Sequence, residues 1–267
     1  RVVITLDFDE ETVTRMDVYE YLQDLMLNDM LDYRQIDTEE LSLVDKWILA
    51  KLNKTINDMD YNYEKFEFGE AARAIHNFSW EDFAAWYVEI AKLALNSDDQ
   101  KAINRTKSIL SYVLLDIMKL LHPFMPFVTE EIYQKIPHIE ESIMISSWPE
   151  AIEEFDNEAA INDFEIIQEL IKAVRNIRSE YNVAPSKKID IQIKPFSTDT
   201  MNILEENNEI LVKFLNPENL EISLDAKNEN EVISIILNDL EVLLPLGSLV
   251  DISQEIERLN KELNKLQ

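Results

Sequence analysis

Two short stretches carry the residue types best suited to chemistry, and that chemistry is phosphate binding. Residues 101–122 hold Lys101, Arg105, Lys107 and Lys119 against one acid, Asp116, a net of +3. Residues 172–188 hold Lys172, Arg175, Arg178, Lys187 and Lys188 against Glu180, a net of +4. Lys101 and Arg105 are four apart, so on a helix they share a face. Lys172, Arg175 and Arg178 follow at steps of three and form a slowly turning basic strip. Such strips suit the backbone of a nucleic acid, with arginine offering forked donors. The alternative is that these cations pair with nearby carboxylates on a solvated face. Arg73 is a further candidate, three residues before His76, although a histidine on a helix is more often capped or packed in a core.

Catalytic constellations are missing from the rest of the chain. Glu130-Glu131, Glu140-Glu141 and Asp98-Asp99 are adjacent pairs, and neighbours on a helix point apart, so they form no acid/base dyad. No His-Glu-x-x-His, calcium-loop or Gly-x-Ser-x-Gly pattern occurs. With no cysteine and three scattered histidines, His76, His122 and His138, a metal site is not expected. Trp80, Phe83, Trp86 and Tyr87 have the rings to stack on unpaired bases. At helical spacing they more readily fill a core.

The elements that must position these groups are mostly helices. Only 2 glycines occur in 267 residues, which argues against Gly-rich phosphate loops and doubly wound nucleotide folds. Leu43, Trp47, Ile48, Leu52 and Ile56 form one apolar stripe. Residues 68–95 read as a second helix, 102–121 as a third ended by His122-Pro123, and 129–135 as a short fourth with Thr129 as its cap. The intervening links are short, so neighbours are expected to pack antiparallel. His122-Pro123-Phe124-Met125-Pro126-Phe127 most simply ends one helix and begins another. A further helix spans about 158–181 and stops at Ala184-Pro185. Ile189, Ile191 and Ile193 then alternate as a strand does, 201–214 is helical, and 220–224, 232–237 and 242–246 read as strands.

The two ends differ from the middle. Residues 1–40 hold twelve acidic residues against three basic ones, with a strand-like Val2-Val3-Ile4-Thr5-Leu6 and a helical pattern from about 14 to 30. Leu249, Ile252, Ile256, Leu259, Leu263 and Leu266 follow a heptad seam. The domains expected are therefore a small acidic α/β unit at 1–40, a bundle at 41–147, a junction helix at 148–185, a small α/β domain at 186–248 and a short heptad helix at 249–267.

The net charge is −28. A uniformly acidic surface repels phosphate, which normally supplies most nucleic-acid affinity. Charge of this size serves solubility, a basic partner or mimicry of a nucleic acid. The lack of cysteine fits a reducing, cytoplasmic setting. No run of 18 apolar residues is present and the opening residues turn acidic too soon for a signal peptide, so no membrane association is expected.

Four segments together resemble one family. Leu120-Leu121-His122-Pro123-Phe124-Met125-Pro126-Phe127-Val128-Thr129-Glu130-Glu131-Ile132-Tyr133 is similar to the anticodon-binding bundle of class I aminoacyl-tRNA synthetases. Leu41-Ser42-Leu43-Val44-Asp45-Lys46-Trp47-Ile48-Leu49, the stretch from Tyr63 to Glu70 with Phe78-Ser79-Trp80-Glu81-Asp82-Phe83 and Trp86-Tyr87-Val88-Glu89, and Val174 to Lys188 resemble the C-terminal portion of the valyl enzymes. The match covers about 41–267 and includes the start of their coiled-coil arm. The resemblance implies a mainly α fold built on an antiparallel helical bundle of the anticodon-binding type; the residue patterns above add a small N-terminal α/β unit, outside the match, and a small C-terminal α/β domain. It implies tRNA, or a helical RNA fragment, as partner.

The His-x-Gly-His and Lys-Met-Ser-Lys-Ser motifs through which class I synthetases bind ATP do not occur in this chain. The expectation is therefore a protein that is not an enzyme and needs no cofactor. Three readings follow: an RNA-binding module; an acidic interaction protein or virus-encoded inhibitor, anti-CRISPR in type, acting on a host protein or ribonucleoprotein complex; and a synthetase relic with no role of its own.

Overall fold

A computed structural model describes residue 36 and residues 40–225 and 232–249. The strand and helix expected within 1–40, and the heptad helix beyond 249, lie outside the described residues. The chain divides into two compact units, the first ending at Asp156 and the second beginning at Asn157. Among the described residues, no helix is long and apolar enough to cross a membrane.

The first unit is a helical bundle. Its first helix among the described residues, α1 (Leu43–Glu64), starts at a capping box: Asp45 N–H donates to the Ser42 hydroxyl, and Ser42 N–H donates to the Asp45 carboxylate. Both donors would otherwise be orphaned at the helix start. Val44, Trp47, Ile48, Leu52, Ile56 and Met59 recur every three or four residues and are all buried, so one face of α1 becomes core.

The second predicted helix does run over 68–95, but not as one α-helix. It consists of α2 (Phe68–Asn77), a π-helical segment (Phe78–Tyr87) and α3 (Val88–Leu95). The wider π turn brings residues five apart onto one side. Phe78 and Phe83 are buried at that spacing, and Phe83 stacks on Tyr87 with centroids 6.3 Å apart. Trp86 is buried with them, whereas Trp80 remains exposed. Trp80, two residues on from Phe78, lies off the buried face.

The next helix, α4 (Gln100–Leu121), is capped by the Asp99 carboxylate, which accepts from the Lys101 and Ala102 N–H groups. The fourth predicted helix begins earlier than its expected cap. It is α5 (Pro126–Tyr133), with Pro126 in the first turn, where proline loses no hydrogen bond and its φ is already helical. Thr129 is therefore not the cap. It lies buried within the helix, its hydroxyl bonding back to the Met125 carbonyl and meeting His122 Nδ1 at 2.7 Å. Asn53 ties the far end of the unit to α1: its amide donates to the Ile152 carbonyl and the Asp156 carboxylate and accepts from Ile152 N–H.

The second unit opens with α6 (Glu158–Glu180), capped by Asn157. Among the described residues its four strands are β1 (Ile189–Pro195), β2 (Pro217–Ile222), β3 (Val232–Ile236) and β4 (Leu240–Pro245), ordered β2-β1-β4-β3. β1 and β2 are parallel; β1 and β3 each run antiparallel to β4. The parallel pair requires a crossover, supplied by two helices where sequence periodicity suggests one: α7 (Thr198–Glu206) and α8 (Asn208–Leu215). Ile189, Ile191, Ile193, Leu240, Val242 and Leu244 are buried.

Candidate nucleic-acid interface

The predicted cations divide between the two units. Arg73, Lys101, Arg105, Lys107 and Lys119 belong to the first; Lys172, Arg175, Arg178, Lys187 and Lys188 belong to the second.

In the first unit the arginines are engaged with carboxylates. Arg105 Nε lies 3.0 Å from Asp45 Oδ2. Asp45 is only 4% exposed, and it also accepts from the Tyr87 hydroxyl at 2.8 Å and the Ser42 hydroxyl at 2.7 Å. One carboxylate thus joins the start of α1, the end of the π segment and α4. Burial, the Asp45 charge and this hydrogen bond together hold the Tyr87 phenol neutral, well above its usual range. Lys101 reaches Glu40 at 3.6 Å, and exposed Arg73 reaches Glu70 at 3.4 Å. Lys107 and Lys119 are half-buried. On α4, the reading of cations paired with carboxylates therefore describes Lys101 and Arg105.

Asp116, the acid among those cations, is buried. Its pKa is pushed up to about 6 by desolvation, against the opposing pull of Lys119 and of a hydrogen bond with Tyr112. The Tyr112 ring meets Phe155 edge-on with centroids 5.8 Å apart.

The second unit arranges its cations differently. Arg178 is not part of a solvent-facing strip. It is 7% exposed and continues the buried stripe of α6 that runs through Phe164, Ile167, Ile171 and Val174. Its guanidinium donates to four backbone carbonyls: Nη1 to Lys187 at 2.7 Å and Ala184 at 3.4 Å, Nη2 to Leu215 at 2.8 Å and Asn216 at 3.3 Å. Burial pulls its pKa below the usual arginine value. The planar fork suits this task, since two nitrogens can serve two chain segments at once.

The segment bonded this way is the 181–188 loop. Asn216 holds it as well. It caps α8 in the left-handed conformation at φ 45°, and its side-chain amide donates to the Pro185 and Ser186 carbonyls. Asn182 also takes a positive φ, 52°, a conformation asparagine tolerates better than most residues. Val183 is buried beneath the loop. Lys187 and Lys188 are exposed on it, drawn by Arg178 against the last turn of α6. Arg175 and Lys172 are exposed about one and two turns before Arg178 on that helix. The Arg175 guanidinium lies 5.4 Å from the centroid of the Phe214 ring.

Charge misassigns one residue of this arrangement, Arg178, and misses another, Asn216. Arg178 falls four after Val174, on the apolar period of α6, and that register marks it as buried. Asn216 precedes Pro217 at a helix end, the usual signal for a left-handed cap.

The remaining candidates are structural or peripheral. His76 is exposed and stacks on Trp80 with centroids 6.4 Å apart and an interplanar angle of 13°, so it is not a core histidine. His138 packs on Tyr133 at 4.6 Å. Among the described residues, no group of three or more His, Cys, Asp or Glu side chains could hold a metal ion.

Comparison with known proteins agrees with this architecture. The model of the family described as the anticodon-binding domain of tRNA ligase matches residues 45–193. The chain is 45% identical over 236 residues to a valine–tRNA ligase of Bacillus licheniformis, covering 88% of this chain and 27% of that protein. It is 44% identical over 243 residues to the valine–tRNA ligase of Bacillus subtilis, with coverages of 91% and 28%. It is 45% identical over 242 residues to that of Listeria monocytogenes, with coverages of 90% and 27%. The chain thus spans little more than a quarter of the length of these relatives.

Proposed function

The chain belongs to the family of anticodon-binding domains of tRNA ligases, and on that premise we propose that it is a non-catalytic RNA-binding module that grips tRNA or a helical RNA fragment. The observation that carries this reading is the loop 181–188. Two polar side chains, Arg178 and Asn216, donate to its backbone carbonyls. That preorganisation presents the exposed Lys187 and Lys188, and Lys172 and Arg175 are exposed on α6 of the same unit. In a molecule of net charge −28, such a set is the natural landing place for phosphates. A-form RNA is read chiefly through shape, phosphates and 2′-hydroxyls, so modest sequence preference is expected.

Filter binding of total tRNA to the purified chain tests this across a salt series. Binding that weakens steeply with salt, and that weakens further when Lys187 and Lys188 are replaced by alanine, supports the reading. Absence of binding at low salt refutes it.

The net charge favours a second reading, in which the acidic surface inhibits a host nucleic-acid-processing complex by occupying a site built for nucleic acid. Competition between this chain and a nucleic-acid substrate for such a complex is the corresponding test, and failure to compete removes it.

A further inference from the structure

At the end of α1 the chain turns through Lys65, Phe66 and Glu67 into α2, and five rings gather there. The Tyr63 centroid lies 5.7 Å from Phe68, 6.2 Å from Phe124 and 5.6 Å from Trp148. Phe66 stands nearly perpendicular to Phe68 at 6.2 Å. Tyr63 is the inner member. Its hydroxyl oxygen is buried and has no hydrogen-bond partner among the described residues, so packing alone holds it.

Phe66 is the outer member and the unusual one. It is 78% exposed and sits at φ 60°, a backbone conformation rarely adopted by a bulky side chain. Glycine or asparagine would make this turn with less strain. An aromatic ring held there adds little to the core and does not help the turn. Strain of this kind collects where a side chain serves recognition. Phe68 is also exposed, at 49%.

The surroundings are acidic. Residues 58–70 contain Asp58, Asp60, Glu64, Glu67 and Glu70, with Lys65 the one cation. Asp60 accepts from Trp148 Nε1 at 2.8 Å, which fixes the indole against the carboxylate. Glu64 lies four residues on and shares its helix face. None of Asp60, Glu64 and Glu67 is in an ion pair with a described residue. Lys65 is already committed: its ammonium lies 4.0 Å from the Tyr61 ring centroid and bonds the Tyr61 hydroxyl. The turn thus displays one cation–aromatic contact of its own.

These features select an occupant. RNA would bring phosphates against the carboxylates. An apolar helix would bury the charges of Asp60, Glu64 and Glu67 without supplying a counter-ion. A guanidinium satisfies both halves, stacking on an aromatic face while its N–H groups reach a carboxylate. We propose that the turn carrying Phe66 and Phe68, with Trp148 and Asp60, is a docking site for an arginine-rich segment of a partner protein. The inference is independent of the tRNA-binding reading, which rests on the other unit.

Fluorescence anisotropy of a labelled octaarginine peptide, titrated with the full chain at near-physiological salt, tests it. Phe66→Gly is the informative variant, because glycine takes the required φ freely and the turn is kept. It and Glu67→Gln should each weaken binding about fivefold, while Glu205→Gln/Glu206→Gln on α7, which removes more charge elsewhere, should leave it unchanged. If Phe66→Gly binds octaarginine as tightly as the parent chain, the attraction is only the general negative field and the proposal fails. It fails equally if a labelled oligouridine probe binds more tightly than octaarginine and loses affinity in Phe66→Gly.

Discussion

Arg105 Nε and Asp45 Oδ2 lie 3.0 Å apart in the first unit, where they join α4 to the first turn of α1. The carboxylate is buried and bonded by Tyr87 and Ser42 as well. Removing the cation leaves a buried charge without its counter-ion, so Arg105→Ala is expected to destabilise the protein by about 3 kcal/mol. Urea unfolding measures this. Because Arg105 is engaged with a carboxylate, the salt dependence of tRNA binding should not change in the same variant.

Arg178 makes a second, different prediction. Its four bonds to carbonyls span two chain segments. Arg178→Lys supplies a point charge that cannot serve both, so lysine should rescue little of the loss seen in Arg178→Ala, about 2–3 kcal/mol. Thermal unfolding of both variants checks this. Limited proteolysis within 181–188 should accelerate in each.

Lys187 and Lys188 should behave in the opposite way. They are exposed, and their joint replacement by alanine should shift stability by no more than about 0.5 kcal/mol. The plot of log affinity for tRNA against log salt should flatten by about 0.7–0.9 for every phosphate that the variant no longer neutralises.

Asp116 predicts a pH dependence. Its pKa rises from 3.8 to about 6 because burial disfavours the charged form. Between those values the folded protein binds more protons than the unfolded chain, so stability falls as pH rises through that window. Above pH 6 the full cost is present, on the order of 3 kcal/mol. Asp116→Asn should therefore raise Tm at pH 7.5 and have little effect at pH 4. An equal shift at both pH values would contradict the assignment.

Much of the helical order was legible because apolar residues recur on one face: Trp47, Ile48, Leu52 and Ile56 in α1, and the alternating Ile189, Ile191 and Ile193 in β1. The π segment was not, since five-residue spacing of Phe78 and Phe83 looks like ordinary helical scatter until the backbone is seen. Thr129 misled because a threonine before an apolar run fits a cap, while Pro126 claimed the helix start three residues earlier. For the site, counting charge found both basic stretches but could not distinguish exposed cations from buried ones. Arg178 shows why. Steps of three from Lys172 suggest a strip, whereas the 164, 167, 171, 174, 178 register places it in the core. Asp45 is distant in sequence from Arg105, and only the fold brings them together.

The order of strands carries a consequence for synthesis. Gln192 of β1 pairs with Leu243 of β4, so one side of a central strand lacks its neighbour until about fifty more residues have been made. At ordinary translation speeds that interval lasts roughly 3–10 s. During it, Ile189, Ile191 and Ile193 belong to a nascent chain whose sheet is half built, and unpaired edges of this kind are what aggregation and chaperones both seize. The yield of this protein in a cell should therefore depend on how quickly the ribosome delivers β4.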